Sequence, residues 1–303
     1  IQSINIQSGI FCLMKDRFQD IIWVGADGQG IYMYFTDEFS IENVLLDVPE
    51  YRVNNPVRAL FLDHEQTLWI GTKGGGILRM MDFYPDRETL PQAERILANN
   101  SALMDNSVYS FAPGRRKSLW IGTEDGLNYY SYLTKRIEEF PVIADGKKVK
   151  YVHSICETND STLWVVSAGE GIVKITLEAS SSLPKVKSAQ RFTLDGGKRN
   201  SNYFFVSYQE NDSTIWFGNR GYGAYKMNTR TNQLTPCRID DVVKNQTVND
   251  IFAIHKNDEG YWFGTSFGLT RLYQGEYRVY NETDGFPNNT IHGILEGRGN
   301  NLW

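Results

Sequence analysis

A tryptophan motif repeated along the chain limits the possible folds more than any other feature. The stretch 68–79 reads Leu-Trp-Ile-Gly-Thr-Lys-Gly-Gly-Gly-Ile-Leu-Arg, and similar copies surround the other tryptophans. All seven tryptophans occupy this one position, at 23, 69, 120, 164, 216, 262 and 303, so successive copies are 41 to 52 residues apart. A period in this range indicates a repeat architecture in which each copy forms one structural unit.

Each copy has the same internal order of strands and turns. An apolar segment of the form apolar-x-x-apolar lies 11 to 13 residues before the tryptophan, and a polar turn separates the two. This pattern predicts a β-hairpin. A Gly-rich turn then leads to a third strand and a more variable fourth one. We call the first apolar residue of each copy its anchor; the anchors are Ile10, Val57, Val108, Val152, Tyr203, Ile251 and Ile291.

Four antiparallel strands repeated about every 45 residues are typical of β-propeller blades. We therefore predict an all-β fold in which residues 1–303 form one propeller of seven four-stranded blades, the last of them incomplete. Residues 1–6 are expected to join a strand at 290–296 and the segment ending at Trp303, and so to close the ring. The alternative is a chain that spans the end of one propeller and the start of another. Loops at 82–86 and 180–184 lengthen individual repeats.

Charge and composition exclude several classes of function. The net charge is −5 and no long run of Lys or Arg occurs, so nucleic acids and anionic membrane surfaces are poor partners. No apolar run approaches the ~18 residues of a membrane span. The sequence from Ile1 onwards has no signal-peptide pattern, and we expect any targeting information to lie outside it. The three cysteines, Cys12, Cys156 and Cys237, lack the spacing of a disulfide framework or a zinc site. Because the chain begins without Met and stops within a repeat, we interpret it as a piece of a longer protein.

The repeated tryptophan and glycine are interpreted as packing residues. A large ring once per blade fills the wedge between neighbouring sheets. The glycine two residues later allows close packing or a tight bend. These glycines are Gly25, Gly71, Gly122, Gly218 and Gly264, and Val166 replaces the glycine in the fourth copy.

A ring of large side chains, mostly aromatic or basic, stands one residue past the anchors, where packing alone does not require it. Its members are Phe11, Arg58, Tyr109, His153, Phe204, Phe252 and His292. Two residues past the anchors the side chains are small, as expected near the axis, except for Phe205 in the fifth copy. Two residues before the anchors stand Asn55, Asn106, Asn249 and Asn289, for which turn chemistry is the alternative to ligand contact.

The loops that lead into the inner strands and the Gly-rich loops are expected to open on one face of the propeller. Side chains there differ from blade to blade on a constant scaffold, which is the pattern of a binding surface. Aromatic rings beside amides and carboxylates suit sugars; the alternative is that polar loops only solvate the rim. The candidate ligand-binding residues are Arg58, Tyr109, His153, Phe204, Phe252, His292, Arg220, Tyr222, Phe267, Asn106, Asn249 and Asn289. Loss of Tyr222 or Phe267 is expected to weaken sugar binding.

Candidates for catalysis are few. His153 and His292 share a register in the fourth and seventh copies and could converge across the channel mouth. Glu157 and Glu296 lie near the far ends of the same strands, which weakens an acid–base pairing with them. No metal spacing, nucleophile elbow or phosphate loop occurs, so no catalytic residue, metal or cofactor is predicted.

The motif Leu-Trp-Ile-Gly-Thr, followed by a Gly-rich turn and preceded by Asn-x-Val-x-x-Leu, resembles the two-component-regulator propeller repeat. That repeat builds the periplasmic sensor region of hybrid two-component systems in Bacteroides-type bacteria. Val166 and Asn219 depart from the pattern. The resemblance implies a parent with two seven-bladed propellers, a membrane helix, and kinase, receiver and DNA-binding modules. It also implies a homodimer that senses oligosaccharides and regulates polysaccharide-utilisation genes.

The resulting hypothesis is a non-enzymatic periplasmic sensor propeller whose ligand is an oligosaccharide. This part of the chain would contact no nucleic acid, and its parent would be anchored in the inner membrane. Two alternatives stay open. One is a purely structural or dimerisation propeller, and the other is a propeller lyase or hydrolase that uses His153 and His292.

Overall fold

The computed structural model describes residues 3–44, 49–81, 92–159, 161–179, 181–237, 239, 246–297 and 301–303. Within these ranges the strands form six four-stranded antiparallel sheets and one two-stranded hairpin. The helical segments there are short 3-10 turns at Pro49–Tyr51, Asp195–Gly197, Arg199–Ser201, Gln246–Asn249 and Glu282–Asp284. None of these has the length and hydropathy of a helix that crosses a membrane. The predicted loop at 82–86 lies outside the described residues.

Each sheet is one blade, and its strands follow each other in chain order from the inside outwards. Blade 1 comprises β1 (Ile10–Lys15), β2 (Ile21–Ala26), β3 (Ile31–Phe35) and β4 (Ser40–Asn43). Blade 2 comprises β5 (Val57–Leu62), β6 (Leu68–Thr72), β7 (Ile77–Met81) and β8 (Gln92–Ile96). Blade 3 comprises β9 (Val108–Gly114), β10 (Ser118–Thr123), β11 (Gly126–Ser131) and β12 (Arg136–Phe140), and a hairpin of β13 (Ile143–Ala144) and β14 (Lys147–Lys148) follows it.

The other three blades repeat this plan. Blade 4 comprises β15 (Val152–Asn159), β16 (Thr162–Ser167), β17 (Gly171–Leu177) and β18 (Val186–Phe192). Blade 5 comprises β19 (Phe204–Asn211), β20 (Thr214–Asn219), β21 (Gly223–Asn228) and β22 (Gln233–Cys237). Blade 6 comprises β23 (Ile251–Asn257), β24 (Gly260–Thr265), β25 (Gly268–Tyr273) and β26 (Glu276–Tyr280). The all-β propeller fold is therefore confirmed.

The tryptophans join each blade to the next, as predicted. Trp69 of β6 is fully buried in one cluster with Val108 and Leu119 of blade 3. Trp120 of β10 packs in the same way with Val152 and other residues of blade 4. Full burial of such a large ring removes more apolar surface from water than any other residue of the motif can. The hydrophobic core of the protein is thus a series of clusters between blades.

The prediction of seven blades, the last of them incomplete, is wrong in number, because the described residues form six four-stranded blades. In the described part of the seventh copy, the amides of Leu295 and Trp303 each donate to the other's carbonyl at 2.9 and 2.8 Å. A single bridge between Glu296 and Leu302 accompanies it. One such pair of segments supplies too few strands for a four-stranded sheet.

This last segment nevertheless packs against blade 1. The Trp303 ring lies 4.8 Å from the ring of Tyr34, measured between centroids. Leu295 and Ile6 contact the same cluster of buried side chains in blade 1. Residues 3–6 form no strand, contrary to expectation, and residues 1 and 2 lie outside the described residues. The segment that follows blade 6 therefore returns to blade 1.

Candidate functional site

Two sets of loops open on the same face of the propeller, as the sequence predicts. In blades 1 to 5, the first residue of the Gly-rich loop donates its backbone amide to the carbonyl of the residue just before the inner strand of the same blade. This contact ties the two loops of a blade together. The bonds are Asp27 to Gly9 (2.9 Å), Lys73 to Pro56 (2.9 Å), Glu124 to Ser107 (3.0 Å), Ala168 to Tyr151 (3.0 Å) and Arg220 to Tyr203 (2.9 Å).

The strand register corrects one of the predicted site residues. Phe204 pairs with Asn219 at the position where Val57 pairs with Thr72, and the Phe204 side chain is fully buried. The anchor of the fifth copy is therefore Phe204 and not Tyr203. Phe205 takes the ring position predicted for Phe204. The spacing carried this signal, since Phe204 precedes its tryptophan by twelve residues, as Val57 does.

With that correction, six contacts join seven side chains into one chain that runs from Arg58 through Phe11 and His292 to Tyr109. All seven are partly exposed, whereas the anchors Val57, Val108, Val152, Phe204 and Ile251 are fully buried. In blades 1 to 6 the belt residue lies at an irregularity of the strand register, between the anchor and the next paired residue. Such a bulge changes the direction of a side chain, which separates the belt residues from the buried anchors. We call the seven side chains the belt; they are Phe11, Arg58, Tyr109, His153, Phe205, Phe252 and His292.

Ring contacts connect the belt from blade 3 to the segment after blade 6. His153 stacks on Tyr109 with ring centroids 4.4 Å apart, and its other neighbour is Phe205 at 5.0 Å. Phe205 lies 6.0 Å from Phe252, which lies 4.8 Å from His292. These separations are those of favourable offset or edge-to-face aromatic pairs. This side of the belt is therefore a nearly continuous aromatic surface.

Phe11 and Arg58 complete the belt on the side of blades 1 and 2. The Phe11 ring lies 5.6 Å from His292, and the guanidinium carbon of Arg58 lies 3.6 Å from the centre of the Phe11 ring. Phe11 and His292 also line a groove of about 820 Å³ between residues 3–13 and 286–293. The belt thus borders an opening large enough for a small organic ligand.

Burial keeps both belt histidines neutral. Desolvation, followed by the positive charges of Arg58 and Lys73, lowers the pKa of His153 from its usual 6.5 to about 4. Desolvation and the charge of Arg58 also lower the pKa of His292. Neutral imidazole offers one donor and one acceptor in addition to its ring face. At neutral pH the belt histidines are therefore uncharged hydrogen-bonding groups.

Tyr109 and Glu124 place a polar pair at the edge of the belt. The Tyr109 hydroxyl donates to Glu124 Oε2 at 2.9 Å. Desolvation and this hydrogen bond raise the pKa of Tyr109 to about 12. The phenol stays protonated and holds the carboxylate of Glu124 in place.

The asparagines predicted to bind a ligand form hydrogen bonds within the loops. The side-chain oxygen of Asn106 accepts the Ala98 amide at 2.8 Å, and that of Asn289 accepts the Glu282 amide at 2.9 Å. Asn249 is buried beside Gly223, and its backbone carbonyl accepts the Gly221 amide. The side-chain contacts of Asn106 and Asn289 are the turn chemistry weighed above as the alternative to ligand contact. The buried Oδ1 atom of Asn249 has no hydrogen-bond partner among the described residues.

Arg220, Tyr222 and Phe267 are not brought together with the belt. Arg220 is exposed on its loop. Tyr222 and Phe267 pack against the hydrophobic clusters of blades 4 to 5 and 5 to 6 respectively. Their rings contribute to packing between blades, and no contact joins them to a belt residue.

No contact joins the two belt histidines to each other in the part of the chain that the structure describes. Phe205 and Phe252 separate them along the aromatic side of the belt. Glu157 accepts from the indole nitrogen of Trp120, and Glu296 lies 3.1 Å from His255. Neither acid reaches His153 or His292. No group of three or more His, Cys, Asp or Glu suited to a metal occurs among the described residues.

The sequence analysis did not predict the hydrogen bonds that the tryptophan indoles make. Their acceptors are side-chain oxygens at the end of the inner strands opposite to the belt. The Nε1 atoms of Trp23, Trp69 and Trp216 donate to carboxylates at 2.8 to 2.9 Å. The Nε1 atom of Trp262 donates to an amide oxygen at 2.9 Å. The signal was an acidic or amide residue five to seven positions before each of these four tryptophans. These acceptors are Asp16, Asp63, Glu210 and Asn257.

The repeat resemblance is confirmed by comparison with known families. Residues 52–74 and 102–125 match the two component regulator propeller family. Over 181 residues, 58% of this chain, the sequence is 27% identical to Histidine kinase P4 of Formosa agariphila, and the match covers 13% of that protein. The chain therefore carries two-component-regulator propeller repeats and spans only a small part of this relative.

Two solved structures from B. thetaiotaomicron share the fold. The first is an extracellular domain assigned to a one component system, with a TM-score of 0.70 and 20% identity; the match covers 98% of this chain and 37% of that one. The second is an extracellular domain assigned to a hybrid two component system, with a TM-score of 0.69 and 17% identity; the match covers 100% of this chain and 40% of that one. At these identities the likeness establishes the fold.

Proposed function

We propose that this chain is a ligand-recognition propeller of a periplasmic sensor in a hybrid two-component system, and that its ligand is an oligosaccharide bound at the belt. In this proposal the parent is a membrane-anchored histidine kinase that controls polysaccharide-utilisation genes. The family match, the histidine kinase relative and the extracellular neighbours support this assignment.

The observation that carries the proposal is the composition of the belt. Aromatic faces of Tyr109, Phe205 and Phe252 suit the apolar C–H faces of sugar rings. The neutral imidazoles of His153 and His292 supply donors and acceptors for hydroxyl groups. A concave, mostly apolar surface with a few convergent polar groups is the usual form of a small-ligand site.

Signalling would result if the ligand bound two arrangements of the sensor with different affinity. An oligosaccharide that binds one arrangement of two paired sensor chains better than another shifts the population towards that arrangement. The parent homodimer would pass this shift across the membrane to its kinase. The propeller needs no catalytic group for this role, and the separation of His153 from His292 favours binding without turnover over a lyase or hydrolase.

Calorimetric titration against a panel of plant and host oligosaccharides, with product analysis of each mixture, tests the proposal. We expect binding with the sugar recovered intact. Phe252→Ala should weaken the binding about tenfold or more, because it removes a stacking face. Tyr273→Ala is the matched control, since Tyr273 is an exposed aromatic residue on the outer part of blade 6.

Each contrary outcome has a distinct meaning. Cleaved sugar would favour the enzyme hypothesis. No heat with any sugar would favour a structural or dimerisation propeller. Equal losses of sugar affinity in Phe252→Ala and Tyr273→Ala would show that the sugar does not bind at the belt.

A further inference from the structure

Arg58 is the charged group of the belt, and its guanidinium donates no hydrogen bond to any residue that the structure describes. Its Nε atom is buried, and no acceptor for the guanidinium occurs among the described residues. Other arginines differ: Arg191 lies 3.3 Å from Glu170, and Arg79 lies 3.4 Å from Glu94. A guanidinium has five N–H donors in a planar fork that matches a carboxylate or sulfate group. An unused fork that lies over Phe11, a residue that lines the groove, can bind a ligand that enters there.

Packing fixes the position of this fork. The guanidinium lies over the Phe11 ring at 3.6 Å, so one face is covered by an aromatic surface. Partial burial disfavours its charged form, and desolvation lowers its pKa. Asp27 acts on it only at longer range, without an ion pair or hydrogen bond. An anion that reached Arg58 would therefore meet a charge that is partly desolvated and held in place.

The charges around Arg58 are also compatible with a bound anion. The positive charges of Arg58 and Lys73 both act on His153. On the negative side, Glu124 is held by the Tyr109 hydroxyl and Asp27 is exposed on its loop. The belt itself contributes one positive charge, from Arg58, and no negative one.

We propose that the belt recognises an acidic sugar, whose carboxylate or sulfate group binds the fork of Arg58 while its ring stacks on the aromatic side of the belt. This inference rests on the proposed sugar-binding function and names its ligand class. Charge-assisted, bidentate hydrogen bonds of this type are about twice as strong as neutral ones and select anion geometry. They would also give Arg58 the partners that the protein does not supply.

The test is calorimetric titration of the whole chain with three probes: a galacturonic acid trimer, a galactose trimer, and a sulfated galactose oligosaccharide. We expect at least one acidic probe to bind about tenfold or more tightly than the neutral trimer, since hydrogen bonds to charged groups are worth this much. The preferred probe identifies the anion as carboxylate or sulfate.

Variants then assign the preference to one side chain. Arg58→Gln should abolish the preference for the acidic probe, and Arg58→Lys should restore only part of it, because lysine keeps the charge but not the fork. Arg278→Gln is the matched control, since Arg278 lies 4.6 Å from the centre of the Tyr280 ring on blade 6, outside the belt. Its preference should equal that of the wild type.

The outcomes separate this inference from the proposed function. Equal affinity for neutral and acidic trimers, or a preference unchanged in Arg58→Gln, would overturn the inference and leave sugar sensing intact. Absence of binding by all three probes and by the wider oligosaccharide panel would overturn both.

Discussion

The imidazole of His153 stacks on the phenol ring of Tyr109, with centroids 4.4 Å apart and an interplanar angle of 12°. The two residues come from neighbouring inner strands, β15 and β9, so the stack joins blade 4 to blade 3 at the channel mouth. An almost parallel pair of rings covers one face of the imidazole and removes water from it. This is why the histidine is neutral and why it belongs to the wall of the site.

The buried histidine predicts a loss of stability at mildly acidic pH. Because the native pKa of His153 is about 4 and its usual value is 6.5, the unfolded chain binds the proton more readily. The stabilising contribution is complete above about pH 6.5 and is lost as the pH falls to about 4. His153→Gln should lack this decline, which we expect to be about 1–3 kcal/mol. Urea unfolding from pH 7.5 to 4 measures it.

His64→Gln serves as the control for that experiment, since His64 is exposed in a hairpin turn of blade 2. Stability curves of wild type and His153→Gln that stay parallel through this pH range would contradict the account.

A second pH effect is expected from Glu210. Burial raises its pKa, but hydrogen bonds from Lys256, Trp216 and Tyr261 outweigh this and lower the pKa to about 2. The stability from these bonds is present above the usual carboxyl range near 4.5 and is lost as the pH falls towards 2. Glu210→Gln should therefore be less stable than wild type by about 1–3 kcal/mol at pH 7, with the difference vanishing near pH 2.

Denaturant unfolding at both pH values tests this, with Glu276→Gln as an exposed control on β26. A difference of the same size at pH 7 and pH 2 would show that packing, and not the charge of Glu210, is responsible.

A third prediction concerns packing between blades. A Cβ atom on Gly71 would lie 2.8 Å from Val108 Cγ1 and 3.0 Å from Phe111, both in the next blade. Gly71→Ala should therefore destabilise the protein by about 1–3 kcal/mol, because neither the strand nor its neighbour can move freely. At Gly9 the nearest atom would be 3.6 Å away, so Gly9→Ala is the control. Equal melting temperatures for the two variants would refute this view of the blade interface.

A fourth prediction separates two adjacent phenylalanines. Phe204→Ala removes a fully buried ring and should cost about 3–5 kcal/mol of stability. Phe205→Ala removes a partly exposed belt ring, so it should reduce ligand affinity about tenfold with a smaller loss of stability. Thermal unfolding and titration of both variants measure this. If Phe204→Ala were the variant with normal stability and weak binding, the corrected register would be wrong.

The sequence predicted the features that depend on local pattern. The repeat period, the hairpin turns and the alternation of apolar residues were sufficient to predict the propeller fold. They also predicted the packing role of Trp69 and the face on which the loops open. They also located six of the seven belt residues, since position within a strand decides which side chains face the channel.

The remaining features depend on contacts that pattern does not encode. The count of seven included an incomplete last blade, but the described residues around Trp303 form an isolated bridge and no four-stranded sheet. The error at Phe204 arose because Tyr203 and Phe204 are both apolar enough for an anchor and the spacing to the tryptophan varies by a residue or two between copies, so strand pairing was needed to decide between them. The unused donors of Arg58 could not be seen either, since they depend on which groups surround it in three dimensions.

The central claim is that the belt holds the ligand, and a crystal structure of the chain with its tightest-binding oligosaccharide tests it most directly. The account predicts a sugar ring stacked on Phe205 or Phe252, with an anionic substituent within hydrogen-bond distance of Arg58. A sugar bound on another surface, with the belt free of it, would contradict the account.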